Sequence, residues 1–259
     1  MNDAVMGVLA VREATRRFYV WMAGACVLLA FAGFAPTYWL QLPPGTFVGA
    51  PLLHLHAALF SAWPVFFLLQ TTLVASGRVA HHRAWGLLGI SLATAMVFVG
   101  FAVADAVLKT RLAAGFGDPA RAFHIVSTSM VALFGLFVCA AIAYVKRPEV
   151  HKRLMVLATI TVLPPAIARL FFAVMVGVGP GLRPGNGPPR TVDSVLTSGL
   201  VADVLILVAV IHDLRTRGRV HPTYLVGGAI ILALQFLRSP VSTTQWWYGV
   251  ADFLARFCG

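Results

Sequence analysis

His54 and His56 stand two residues apart inside the apolar run PLLHLHAALFSAW, residues 51–63, and His81, His82, His124 and His151 follow. Imidazole binds metals and exchanges protons near neutral pH, so six of them at the edges of apolar segments are the first place to look for chemistry. His54 and His124 are 70 residues apart, and the same interval separates His81 from His151 and Arg83 from Arg153. This reads as a two-helix unit used twice, over residues 51–107 and 122–177, marked H…HHR and then H…HKR.

Consecutive membrane-crossing helices alternate in direction. His54, His56 and His124 therefore fall towards one face, and His81, His82 and His151 towards the other. If the repeat sets the second span beside the fourth and the third beside the fifth, imidazoles oppose one another at each face. Two histidines across a helix bundle suit the two axial positions of a haem iron, and phenylalanines such as Phe60, Phe67, Phe134 and Phe137 could line a flat apolar slot. Residues two apart on a helix point roughly 200° from each other, so only one of His54 and His56 can face a given partner. The repeat favours His54 and depth favours His56. The same donors admit another chemistry, a zinc ion held by His54, His56, His124 and Asp105 with a position left open for water.

The elements that position these groups follow from composition. Of 259 residues, 59% are hydrophobic and 11% charged, against about 25% charged in an average soluble domain; the mean hydropathy is +0.84. Apolar runs of the length that crosses a bilayer predict seven helices, at 18–36, 51–75, 84–107, 122–145, 153–177, 193–213 and 222–238. The chain is thus expected to be an all-α polytopic membrane bundle, a single membrane domain over 1–259, with the histidines on the four-helix core formed by spans two to five. The first eleven residues read as a short interfacial helix. The segment GVGPGLRPGNGPPR, 177–190, reads as a loop. Residues 240–259 read as an interfacial tail, with Trp246, Val250, Phe253 and Phe257 at helical spacing.

The net charge is +11. The basic residues lie between apolar runs, which points to lipid contact and topology and away from nucleic acid. With a cytoplasmic N-terminus, twelve Lys and Arg fall in inner segments and seven in outer ones, favouring the N-terminus inside and the C-terminus outside. Cys26, Cys139 and Cys258 form no CxxCH, so covalent haem attachment is not signalled. No P-loop, dinucleotide fingerprint, HExxH or serine elbow is present.

Charged residues inside spans complete the set. Arg169 lies in LPPAIARLFF, where Pro164 and Pro165 must kink the fifth span; Asp203 lies in the sixth span. An ionisable group in lipid calls for a partner, and the expected pair is Arg169 with Asp203, as a structural ion pair or as a site for a haem propionate, a quinone or another anion.

The order of histidines on four successive helices resembles, in architecture, the transmembrane diheme cytochrome b family that moves electrons from ascorbate. The segments HLHAALFSAW, GRVAHHRAWG and HKRLMVLATITVLPPAIAR resemble more closely a group of poorly characterised bacterial multi-spanning proteins. The cytochrome likeness implies one or two haem b groups, held by His54 or His56 with His124 and by His81 or His82 with His151, and a membrane oxidoreductase meeting a quinone or other redox partner. The bacterial likeness implies the cytoplasmic membrane. The leading expectation is a haem-binding electron-transfer protein. Alternatives are a membrane metalloenzyme with a His/Asp zinc site, and a carrier or assembly factor using the Arg–Asp pair.

Overall fold

A computed structural model of the protein describes residues 3–177 and 187–257; residues 178–186 of the expected loop lie outside the described residues. Nine helices make up the described chain: α1 (Asp3–Phe34), α2 (Pro51–Ala75), α3 (Val79–Ala113), α4 (Gly117–Ala143), α5 (Pro148–Thr161), α6 (Pro164–Val176), α7 (Leu196–Arg217), α8 (Pro222–Ser242) and α9 (Gln245–Phe257). The described residues contain no strand. Seven segments are long and apolar enough to cross a membrane, α5 and α6 together forming the fifth. In lipid every backbone polar group must be satisfied within the protein, and a helix does this locally.

Proline marks where helices begin. α2, α5, α6 and α8 each start on a proline, whose missing N–H falls where no intrahelical acceptor is available anyway. The expected kink at Pro164 and Pro165 is a full break. α5 stops at Thr161, Val162 and Leu163 turn back onto the carbonyls of Thr159 and Ile160 at 3.3 and 3.0 Å, and α6 starts afresh. The N-terminal segment differs from expectation: α1 runs through it without interruption from Asp3.

The end of the bundle that carries α9, held to Arg121 at the start of α4, also carries the α1–α2 and α3–α4 connections; the opposite end carries Arg153. Sequence neighbours are spatial neighbours: α2 packs on α1 and α3, and α4 on α3 and α5. Spans two and four therefore face each other across the diagonal of the core, where Trp63 meets Phe134 edge-on at 4.9 Å, and do not lie side by side as the repeat led us to expect. Trp63 also donates from Nε1 to Thr159 Oγ1 at 3.2 Å, tying α2 to α5. Large apolar side chains point outwards, Phe98 at 73% exposure and Leu87 at 72%, an arrangement suited to acyl chains and costly in water.

α1 packs tightly on α6 at Gly33, where a Cβ would come within 2.7 Å of Ala166 Cα. Gly33→Ala is expected to force these helices apart at a cost of about 1–3 kcal/mol, read as a lower thermal unfolding midpoint in detergent. Gly24→Ala, whose Cβ would meet nothing within 4 Å, should leave the midpoint in place.

Candidate functional site

Between the last turn of α1, the segment 35–50, the first turns of α2 and the middle of α6 lies a cavity of about 130 Å³ at the α9 end. Phe34, Phe47 and Phe60 supply its apolar walls, and Tyr38, His56, Ser61 and Arg169 its polar atoms. Arg169 comes from the sequence-predicted set, but its surroundings differ from the expectation. Its guanidinium sits over the Phe34 ring at 4.5 Å and donates from Nη1 to the Pro165 carbonyl at 3.0 Å. Among the described residues no carboxylate lies within salt-bridge reach of it. The charge brought near it is a like one, Arg190, which itself lies over Phe172 of α6 at 5.2 Å.

His56 lies flat against Phe60, ring centroids 4.1 Å apart, and its Nδ1 is sealed from solvent without a hydrogen-bond partner. His54 turns the other way. Its Nδ1 pairs with the Tyr38 hydroxyl at 3.0 Å, and its ring meets Phe47 edge-on. Burial raises the Tyr38 phenol above its ordinary range, so it stays a neutral hydroxyl. The 200° separation expected of residues two apart is thus realised as two separate environments.

His124 does not meet either of them. It is buried in α4 with Nε2 at 2.8 Å from Asp105 Oδ1 of α3, beneath Trp247 of α9, and its Nδ1 is unpartnered. A carboxylate only accepts, so Nε2 carries the proton. The expected outer axial pair of His54 or His56 with His124 is not assembled, because these rings face different helices. Nor is the zinc set: among the described residues no three His, Cys, Asp or Glu converge as metal donors.

At the opposite end His82 of α3 and His151 of α5 do meet, edge to face with centroids 6.3 Å apart, while His81 points outwards. His151 Nδ1 is 2.8 Å from the Ala141 carbonyl. It must be the donor there, which leaves Nε2 as the lone-pair nitrogen. His82 Nδ1 has no partner.

The expected Arg169–Asp203 pair is also replaced. Asp203 of α7 faces α8, where Gln235 Nε2 donates to its Oδ2 at 3.1 Å. Sequence reasoning overlooked the cations that fold inwards, Arg111, Arg153 and Arg238, of which Arg153 is the most deeply buried. Arg153 of α5 is 1% exposed, donates from Nε to Asp213 Oδ2 at 3.0 Å and from Nη2 to Oδ1, and reaches Glu149 Oε2 and its carbonyl, both at 2.8 Å. Arg217 and Lys152 close on the same Glu149, and the His221 backbone N–H donates to Asp213. Burial first, then the charges of Arg153 and Arg217, hold the His221 imidazole below its ordinary range; its unprotonated Nδ1 accepts the Thr223 N–H that caps α8.

Compared with models of protein families, with curated proteins and with solved structures, the chain has no match in any of the three.

Proposed function

We propose that the protein binds a membrane-soluble molecule by a carbonyl or anionic oxygen head group, with Arg169 as its anchor and His56 as its proton-exchanging neighbour. The quinone class answers this chemistry best: a flat ring for the phenylalanine walls, an oxygen for the guanidinium and a second oxygen for an imidazole. The observation that carries the reading is Arg169 itself, a cation inside a span, stacked on an aromatic ring and offered no carboxylate among the described residues. Intramembrane charges mark ligand or ion paths, and Arg favours oxygen anions held in a plane. A cavity of about 130 Å³ has room for a head group, with an apolar tail left in the bilayer. The excess of basic residues at the Arg153 end supports a cytoplasmic placement for that end, and hence a cleft opening on the outer side of a bacterial cytoplasmic membrane.

A short-tailed quinone titrated into the purified protein should raise its unfolding temperature with concentration, as a ligand of the folded state must. A matched alkyl alcohol should not. Equal shifts from both, or none from either, would remove the proposal.

His82 and His151 favour a second, compatible reading. A metal bound at roughly 2 Å from a nitrogen of each ring sets the two centroids about 6 Å apart, close to the 6.3 Å observed. A ligating histidine commonly donates its other N–H to a carbonyl, as His151 does to Ala141. These two side chains would hold one haem b, which when bound would supply a one-electron carrier. Protein expressed with ample haem should then show a Soret band that His151→Ala and His82→Ala each abolish and His124→Ala preserves. A band that survives both substitutions, or iron-free protein, would defeat the haem reading and leave the head-group reading standing.

A further inference from the structure

The break in the fifth span opens onto a second site, which shares no lining residue with the head-group cleft. Where α5 ends at Thr161 and α6 begins at Pro164, α7 and α8 close over a cavity of about 10 Å³ bordered by Asp203, Gln235 and Arg238. Four polar side chains line this cavity in a membrane span; Thr161 is satisfied by the Leu157 carbonyl, but the account of the other three does not close. Gln235 Nε2 satisfies Asp203 Oδ2, but Asp203 Oδ1 and Gln235 Oε1 are both sealed from solvent without a partner. Both atoms accept, so neither can satisfy the other.

The evident donor is engaged elsewhere. Arg238 is 8% exposed and directs its Nε to Ser129 Oγ of α4 at 2.9 Å. Its charge still acts on Asp203, although the two form no ion pair within 4 Å. The side chains are held in this arrangement: Gly199 on α7 leaves room for the Gln235 amide, which a Cβ there would meet at 2.9 Å.

We infer that Asp203 is a proton-exchanging carboxyl of the membrane interior, served by a single water. The volume matches the roughly 10–15 Å³ that one water requires. A water donating to Asp203 Oδ1 and Gln235 Oε1 settles both orphaned acceptors at once. A proton arriving on that water passes to Oδ1, leaving neutral water and a carboxylic acid whose O–H donates back to it, and the reverse step returns the proton. No other species is consumed. The groups facing Asp203 are Arg238 and Gln235 from α8 and Thr161 from α5, with Ser129 of α4 behind Arg238. Arg238 is the one charge among them. It keeps the carboxylate accessible and makes the site unsuited to a metal cation.

Two measurements test this. Infrared difference spectra of the protein in lipid nanodiscs should contain a protonated-carboxyl stretch that disappears as pH rises and is missing from Asp203→Asn. Independently, dicyclohexylcarbodiimide, a lipid-soluble reagent, should modify Asp203 in the wild type, so that the result does not depend on the variant folding. The carboxyl O–H adds across one C=N bond and acyl migration leaves an N-acylurea, with nothing expelled. Peptide mass mapping should show the label falling about tenfold per pH unit above the midpoint. Gln235→Leu, which removes the donor to the ionised form, should move that midpoint to higher pH. A carboxyl band and a label that are both absent, or both indifferent to pH, would overturn the assignment.

Discussion

Arg169→Leu should weaken quinone binding by about 10- to 100-fold while leaving the empty protein as stable as the wild type or more so. The two halves of this result have one origin. A hydrogen bond to a charged group is worth about 1.5–3 kcal/mol, so losing the guanidinium removes one to two decades of affinity. In the empty protein the same guanidinium has, among the described residues, the Pro165 carbonyl and the face of Phe34. Leucine removes a charge from a membrane span and with it a desolvation penalty. Arg169→Lys separates charge from shape: it keeps the cation and loses the planar group that stacks on Phe34, so binding should fall between the two. Concentration-dependent thermal unfolding with a short-tailed quinone reads all three proteins. Unchanged binding in Arg169→Leu would exclude Arg169 as the anchor, and a stability loss larger than the binding loss would make it a structural residue.

The largest stability effect is expected at the opposite end. Asp213→Ala should destabilise the protein by about 3–5 kcal/mol, the usual cost of leaving one partner of a buried ion pair behind. Arg153 and Asp213 are each 1% exposed. The aspartate satisfies Arg153 from α5 and the His221 N–H ahead of α8 at once. Without it, Glu149 remains the acid on Arg153 and is shared with Arg217 and Lys152. Replacing both partners by apolar residues, as in Arg153→Met with Asp213→Leu, should recover much of the loss, because no buried charge is then stranded. Rates of unfolding in denaturing detergent at fixed temperature check the series. A double variant no more stable than Asp213→Ala would show that the network acts through geometry more than charge.

The seven spans were legible because lipid imposes one requirement on every residue of a crossing segment, and apolar run length records it directly. The interruption at Pro164 was legible for a similar reason, since proline acts on its own backbone. The tail was legible in part. α9 forms as expected, with Trp246 and Phe253 exposed, but Trp247 turns inwards, onto His124 and the Arg121 carbonyl. What the sequence withheld was azimuth. His54, His56 and His124 lie in the first turns of α2 and α4, but the direction each ring faces depends on how each helix is rotated within the bundle. That rotation is fixed by packing between segments far apart in the chain. Asp203 finds Gln235, 32 residues on, and Arg153 finds Asp213, 60 residues on. Read locally, Arg153 was one more topogenic charge among twelve, because nothing in HKRLM distinguishes an arginine that folds inwards from one that meets phosphate.

The interruption between Thr161 and Pro164 has a mechanical consequence. A continuous rod transmits torque along its length; a rod cut in two does not. The half that carries His151 and Arg153 is bolted to α7 and α8 by the ion network, whereas the half that carries Arg169 leans on α1 through the notch at Gly33. A guest seated on Arg169 would therefore load only the second half, and the joint that absorbs the strain is the one bordering the Asp203 chamber. Occupancy in one compartment would thereby bear on the shape of the other, through two residues of backbone.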